Sequence, residues 1–498
     1  MNTNQKYVIS IDHGTTGSRV FCYNEKGEIL SSSYREFTQH FPRPGWVEHD
    51  PEEIWAGVKF LIQDAINKRD LSPHNAIAIG ITNQRETVVI WDKQTGKPIY
   101  NAIVWQCRRT SDICDELKKQ GYENLIKNKT GLVIDAYFSG TKIKWILDHV
   151  EGARDLAKNG RLAVGTMDSW LLYKLTGEHK TDYTNASRTM IYNIKEKKWD
   201  EELLSILNIP KNILPEVYPS RSDFGKTKDI QVLPDGIPVY AMIGDQQAAL
   251  FGQLCVHPGE AKNTYGTGCF LLFHTGNDFI ISNSGLLTTL ACDKDGNVAY
   301  CLEGAVFIAG AVVQWLRDYM KFFANAKESE DLIRDLKDED EVVFVPAFVG
   351  LGAPHWDMKA RGAIFGLTRD TTPARITRAA LKSIAFQTYD LVQAMEKDTG
   401  KKLPFLRVDG GATSNQYLMQ FQADILNRRV ERPKNIDTTA AGSAYLAGIH
   451  AGIWKDAEEL SEILRDRTIF EPKMPENTRQ RELKYWHKAV ERVKNWIE

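Results

Sequence analysis

Residues 7–21 read YVISIDHGTTGSRVF. An apolar run over 8–11 ends in Asp12 and opens into Gly14, Thr15, Thr16, Gly17, Ser18 and Arg19, and a second β-favouring run at 20–23 precedes turn residues at 24–27. The pattern predicts a hairpin whose glycine- and hydroxyl-rich turn lies between buried strands. Two glycines let backbone approach a ligand, and successive N–H groups with Thr and Ser hydroxyls surround a phosphate, Arg19 adding charge. An ordinary hairpin turn competes with this reading, since glycine often simply marks a turn. Asp12 favours the phosphate: an acid at the strand end suits a hydrated Mg²⁺ held beside a phosphate cradle.

Outward from that stretch, 498 residues exceed what one hydrophobic core usually supports, so at least two domains are expected. The 63 Lys and Arg against 65 Asp and Glu leave a net charge of -2, which argues against nucleic acid and against an anionic membrane surface. Seven cysteines without a CxxC pair fit buried, reduced thiols and a cytoplasmic setting. The polar start MNTNQK leaves no room for a signal peptide, and the longest weakly polar stretch, 304–316, is too short to span a bilayer.

Asp50-Pro51-Glu52-Glu53 reads as an N-cap with proline at N1, ahead of Ile54, Trp55, Val58, Leu61 and Ile62 at helical spacing. The apolar run 77–81 stops at Thr82-Asn83-Gln84-Arg85-Glu86 and resumes at 87–91, and polar interruptions at strand ends are where open α/β sheets bind ligands. A proline-rich region, 210–238, marks a domain boundary nearby. Residues 239–244 read as a strand ending at Asp245-Gln246-Gln247, and 248–254 as a small-residue helix. Asn263-Thr-Tyr-Gly-Thr-Gly restates the opening theme, which suggests a duplicated fold. A buried helix is expected over 304–320, a solvated charged stretch over 327–341, and a long helix over 371–395. A strand at 406–409 runs into Gly410-Gly411, 440–452 is a close-packing helix, and 456–498 reads as charged and peripheral.

No GxxxxGK[ST] occurs, because Ser220 stands where the first glycine before Gly225-Lys226 would be, and no GxGxxG follows a strand. Three glycine-rich notches, near 14, 266 and 410, resemble instead the actin-like ATPases. PGWVEHDPEEIW (44–55), GITNQRET (80–87), NAIVWQCRRT (101–110), TDYTNASRTM (181–190), GDQQAALFGQL (244–254), AKNTYGTGCF (261–270) and VDGGA (408–412) narrow this. Together with YFSGTKIKWILDH (137–149) they resemble the FGGY carbohydrate kinases, in particular the glycerol-phosphorylating branch, over nearly the whole chain. Arg375 departs from the family pattern at what reads as a helix start, and His13 stands where many relatives have Gln, either touching phosphates or filling a surface turn.

The resemblance implies an α/β chain of two actin-like (ribonuclease-H-like) ATPase domains, 1–252 for glycerol and phosphates and 253–498 for nucleotide, with an interdomain cleft that closes on substrate. It places glycerol against Arg85, Glu86, Tyr137, Asp245 and Gln246, where Arg85, Glu86 and Gln246 supply donors and acceptors for a triol, and Trp105 and Phe270 would cover its carbon face. Asp245 is the implied general base, a helix cap being the competing reading. ATP would meet Thr15, Thr16, Gly17 and Arg19 with Thr267 opposite, and Gly310, Gln314, Gly411 and Asn415 beyond, with Mg²⁺ near Asp12 through water. ATP-dependent formation of sn-glycerol 3-phosphate is the implied activity, with another polyol or ketose as the alternative. A homo-oligomer, dimer or tetramer, is implied as well, without nucleic acid or membrane insertion.

Overall fold

The computed structural model describes residues 5–336 and 341–497. Strands β1 (Tyr7–His13) and β2 (Gly17–Tyr23) form the expected antiparallel hairpin, with Asp12 opposite Arg19 and His13 opposite Ser18. The Gly14 N–H closes its turn on the Gly17 carbonyl at 3.0 Å. β3 (Ile29–Glu36) continues the antiparallel run, while β4 (Ala76–Asn83) and β5 (Val239–Gly244) extend the other edge in parallel, giving the order β5-β4-β1-β2-β3. Helix α1 (Pro51–Asn67) starts as expected, with the Asp50 carboxylate accepting from the Glu52 N–H at 2.8 Å, and buries Ile54, Trp55, Val58, Leu61 and Ile62 against the sheet. Between β4 and β5 lies a large insertion containing a strand pair, Val88–Asp92 against Leu162–Thr166, and helix α2 (Ser139–His149). Helix α3 (Asp245–Gly252) leaves the end of β5.

The second half repeats this plan. Strands β6 (Ala261–Tyr265), β7 (Cys269–Gly276), β8 (Leu287–Cys292) and β9 (Val298–Val306) are followed by helices α4 (Gly310–Asp318) and α5 (Pro373–Thr399). Then come β10 (Phe405–Asp409), α6 (Gln416–Leu426), β11 (Arg429–Pro433), α7 (Thr438–His450), β12 (Arg467–Phe470) and α8 (Glu476–Val493). The sheet order is β8-β9-β7-β6-β10-β11-β12. Without its outermost strands this is β9-β7-β6-β10-β11, which matches β3-β2-β1-β4-β5 in order and in strand direction. The fifth strand of each set leads into a helix, α3 or α7, and these two helices pack on each other through small residues. A Cβ at Gly252 would lie 2.0 Å from the Thr438 carbonyl oxygen, and one at Gly442 1.9 Å from that of Ala248.

Three expectations are corrected. The buried helix expected over 304–320 is only α4, because residues 298–306 are taken into β9 by pairing with β7 and β8, and tertiary pairing overrides local preference. The stretch 327–341 is not uniformly solvated: Glu328–Ile333 is helical and buries Ser329 and Ile333, while 337–340 lie outside the described residues. The tail is not merely peripheral, since α8 buries Leu483, Trp486, Val490 and Val493, with the Trp486 ring stacked on Phe386 at 5.2 Å. All seven cysteines are buried and free. Among the described residues no helix is long and apolar enough to cross a membrane.

Candidate active site

The polar interruption after β4 turns the chain inward. Arg85 and Glu86 are buried, and Glu86 adopts a left-handed backbone with φ of 62°, a conformation that costs a non-glycine residue of order 1–3 kcal/mol and marks functional corners. The Arg85 guanidinium forms a bidentate pair with Glu303 of β9, at 2.6 and 3.0 Å, and bonds Gln247 Oε1 at 3.1 Å. Its Nε lies 3.2 Å from the Asp245 carboxylate. Arg188 joins the same acids, 2.6 Å from Glu86 Oε1 and 3.0 Å from Glu303 Oε1. Two arginines from the first half thus share one carboxylate from the second.

Burial alone would push Glu303 up, but Arg188 and Arg85 outweigh it and hold the carboxyl at about 2. For Glu86 and Asp245 burial prevails and both carboxyls lie above the ordinary range, with Arg188 opposing at Glu86 and Arg85 at Asp245. Asp245 opens α3, but Gly244 occupies the cap position, so Asp245 is not the N-cap. Behind it, buried Lys262 donates to Gln246 Oε1 at 2.6 Å and to Thr264 Oγ1 at 2.8 Å, and lies 3.3 Å from the Phe270 carbonyl. Burial lowers its pKa.

One wall is aromatic. Trp105 meets Tyr137 edge-on with ring centres 5.5 Å apart, and Arg188 lies over the Tyr137 ring at 5.6 Å. The Trp105 indole N–H donates to Thr15 Oγ1 at 3.0 Å, tying this wall to the first glycine turn. Asp12, at the end of β1, is pushed up to about 7 by burial, against the pull of Arg19 and with the carboxylates of Asp245 and Asp437 adding to the rise. Arg19 is exposed and bonds Asp437 at 2.9 Å. His13 is fully buried and fills no surface turn.

Residues 7–252 match the N-terminal domain, and residues 261–451 the C-terminal domain, of the FGGY family of carbohydrate kinases. This chain belongs to that family. It is 63% identical over 492 residues to a glycerol kinase of Leptospira biflexa, covering 98% of this chain and 99% of that one. Its identity to a glycerol kinase of Carboxydothermus hydrogenoformans is 57% over 494 residues, 99% of each chain. Among solved structures, the Plasmodium falciparum glycerol kinase with ADP superposes with a TM-score of 0.93 at 38% identity over 98% of both chains. A ligand-bound xylulose kinase of Lactobacillus acidophilus, 23% identical, shares the fold with a TM-score of 0.87 over 98% of both chains.

On the far side of this FGGY kinase, the second glycine turn is held under α4. The Gly310 N–H donates to the Gly266 carbonyl at 3.0 Å, those of Ala309 and Ala311 to the Thr267 carbonyl at 2.9 and 3.1 Å, and a Cβ at Gly310 would come within 2.5 Å of the Gly266 oxygen. Gln314 and Gly411 are exposed, and a Cβ at Gly411 would meet open space. Asn415 caps α6 through the Leu418 N–H at 2.8 Å and reaches Ser329 at 3.4 Å. Arg85, Glu86, Trp105, Tyr137, Asp245, Gln246 and Thr15 are thus linked through shared contacts, while Gln314 and Gly411 are at the surface and Asn415 is bonded to Leu418 and Ser329.

Sequence reasoning missed Arg188, Gln247, Lys262 and Glu303. Arg188 sits inside the 181–190 stretch that carries the resemblance, and Glu303 is a lone acid in an apolar strand, YCLEGAV, whose burial would be costly without a partner.

Proposed function

We propose that this FGGY kinase transfers the γ-phosphoryl group of ATP to a terminal hydroxyl of glycerol, giving sn-glycerol 3-phosphate. The observation that carries the reading is Asp245: a carboxylate 3.2 Å from buried Arg85 and raised in basicity by its own burial, at the head of a helix. Such a group accepts the proton of an attacking hydroxyl, and phosphoryl transfer otherwise asks mainly for positioning and charge neutralisation. Identity of 54 to 63% to curated glycerol kinases and the ADP-bound relative support the substrate and the nucleotide.

In this reading Arg85, Glu86 and Gln246 receive the hydroxyls, Tyr137 closes the base of the pocket, and Trp105 and Phe270 face the carbons. Thr15, Thr16, Gly17 and Thr267 surround the phosphates. Arg19 exchanges its exposed partner Asp437 for phosphate oxygens. Gly310, Gln314, Gly411 and Asn415 take the rest of the nucleotide. Asp12 fits a hydrated Mg²⁺: it is a partly buried carboxylate lifted to about 7 by desolvation, with the charges of Asp245 and Asp437 adding to the rise. Such an ion would keep most of its waters and be held by one carboxylate and the phosphates. Bound there, the ion would neutralise phosphate charge. We place the division between a polyol-and-phosphate half, 1–252, and a nucleotide half, 253–498, with closure between them, and assign the protein to the cytoplasm as a dimer or tetramer.

The test is turnover by purified protein of glycerol, 1,3-propanediol and xylulose with MgATP. Glycerol should give the highest kcat/KM, and 1,3-propanediol should lose more than its missing volume implies, because buried polar groups would be left unpaired. If xylulose equals or exceeds glycerol, the sugar-kinase alternative replaces this reading.

A further inference from the structure

Beneath the site lies a run of polar side chains, Thr87, Gln84, His49 and Gln39, that neither the polyol nor the nucleotide reading uses and that links Trp105 to Thr15. The Trp105 backbone N–H donates to Thr87 Oγ1 at 3.2 Å, and the Thr87 hydroxyl donates to Gln84 Oε1 at 3.1 Å. With its oxygen so occupied, the Gln84 amide nitrogen faces two imidazoles, His13 Nε2 at 3.1 Å and His49 Nδ1 at 3.3 Å. Two amide protons meet two ring nitrogens, so both rings accept there and both carry their own proton on the opposite nitrogen. His13 Nδ1–H then donates to Ser18 Oγ at 2.8 Å, and His49 Nε2–H to Gln39 Oε1 at 2.8 Å. The Gln39 amide donates to the Thr15 carbonyl at 3.2 Å, and Trp105 Nε1–H reaches the Thr15 hydroxyl at 3.0 Å.

The bonds close a ring: Trp105, Thr87, Gln84, His49, Gln39, Thr15 and back to Trp105, with His13 and Ser18 as a branch. One assignment of protons satisfies every member, and it requires both imidazoles neutral. Gln84, Thr87, His13 and His49 are all buried. The ring joins the aromatic wall to the first glycine turn and grips Thr15 by both its carbonyl and its hydroxyl.

We propose that His49 is a positioning residue: through this ring it fixes the first glycine turn relative to the Trp105 wall, and so sets how the acceptor hydroxyl meets the transferring phosphoryl group. The inference rests on the proposed kinase reading. A fixed separation matters because a misplacement of about 1 Å at a reacting centre costs roughly a hundredfold in rate.

His49→Leu removes both bonds at similar bulk, whereas His49→Gln offers an oxygen to Gln84 and an N–H to Gln39. Thr87→Val breaks the ring elsewhere with little change of shape. Turnover of each full-length variant is measured with MgATP and the polyol that wild type uses best, and binding of that polyol alone and of ADP alone by calorimetry. The expected result is a fall in kcat of about tenfold or more in His49→Leu and in Thr87→Val, with each separate binding constant within about threefold of wild type, and recovery of most of the loss in His49→Gln. A kcat within threefold of wild type in Thr87→Val, or a His49→Gln variant as impaired as His49→Leu, overturns the proposal. If wild type prefers another polyol over glycerol, the substrate assignment fails and the ring is judged on that polyol.

Discussion

The two halves solve one problem in two ways. Each carries a glycine turn between antiparallel strands at the same place in the same sheet order. The second turn, at Gly266–Gly268, is held by main chain: three consecutive N–H groups at the start of α4 bond its carbonyls. The first, at Gly14–Thr16, is held by main chain and side chains together, with the Phe37 N–H on the Thr16 carbonyl at 3.4 Å, Gln39 on the Thr15 carbonyl and Trp105 on the Thr15 hydroxyl. Main-chain tethering leaves position almost independent of sequence except where glycine is needed. Side-chain tethering makes the first turn answer to residues as distant as Trp105. The duplicated scaffold therefore supplies two similar loops, of which one is wired to the Trp105 wall.

The same contrast extends to the acids at the following helices, Asp245 opening α3 and Asp437 preceding α7, and the largest expected effect tests it. Asp245→Asn keeps size but cannot take a proton, and kcat should fall by roughly a hundredfold or more while glycerol still binds; near-normal steady-state turnover would remove Asp245 as the base. Next in size, Gly310→Ala forces a Cβ against the Gly266 carbonyl at 2.5 Å, a contact with backbone that cannot yield cheaply. A loss of about 1–3 kcal/mol in thermal or urea unfolding, together with weaker ADP binding by calorimetry, is expected. Unchanged values would show that main chain does not fix the second turn.

The two imidazoles of the ring give a pH signature. Burial lowers both His13 and His49 to about 3 from an ordinary 6.5. The unfolded chain therefore binds these protons first, so the stability they contribute is complete above pH 6.5 and is lost as pH falls from there towards 3. At pH 5 each costs up to about 2 kcal/mol, and His49→Gln should lose correspondingly less stability than wild type between pH 7 and 5 in urea unfolding. Equal losses would place the titrating groups elsewhere. The smallest effect belongs to Asp437→Asn, which cuts an exposed pair with Arg19 and should change unfolding free energy by less than about 1 kcal/mol, with kcat nearly unaltered. A loss comparable to Asp245→Asn would mean that the two helix-head acids are equivalent after all.

What could be read from the sequence was what local chemistry enforces. The Asp50-Pro51 cap, the first hairpin and the strand-ending polar corner at Arg85 each depend on neighbours within a few residues. The 304–320 helix failed because β9 is decided by pairing with β7 and β8, which no short window contains. Trp486 was missed because its partner Phe386 lies a hundred residues earlier. The site divides likewise. Arg85, Glu86 and Asp245 stood out through motif and strand ends, whereas Glu303, 218 positions from Arg85, becomes meaningful only when the sheets bring its carboxylate between two guanidinium groups. The ring through His49 was hidden for the same reason, and His13, whose role the sequence left open, proves to be its buried branch.

The crossing of α3 and α7 has a mechanical corollary. Helices that interlock through large side chains resist sliding, because each ridge must climb out of a groove. Here Gly252 and Gly442 bring the two backbones into direct apposition, while Phe251 of α3 and Leu446 of α7 belong to one buried cluster around them. The joint is backbone against backbone, so the two helices already stand at their closest approach there, with no side chain between them whose change of rotamer could draw them nearer. A single methyl group at Gly442, 1.9 Å from the Ala248 oxygen, would have to wedge the two helices apart.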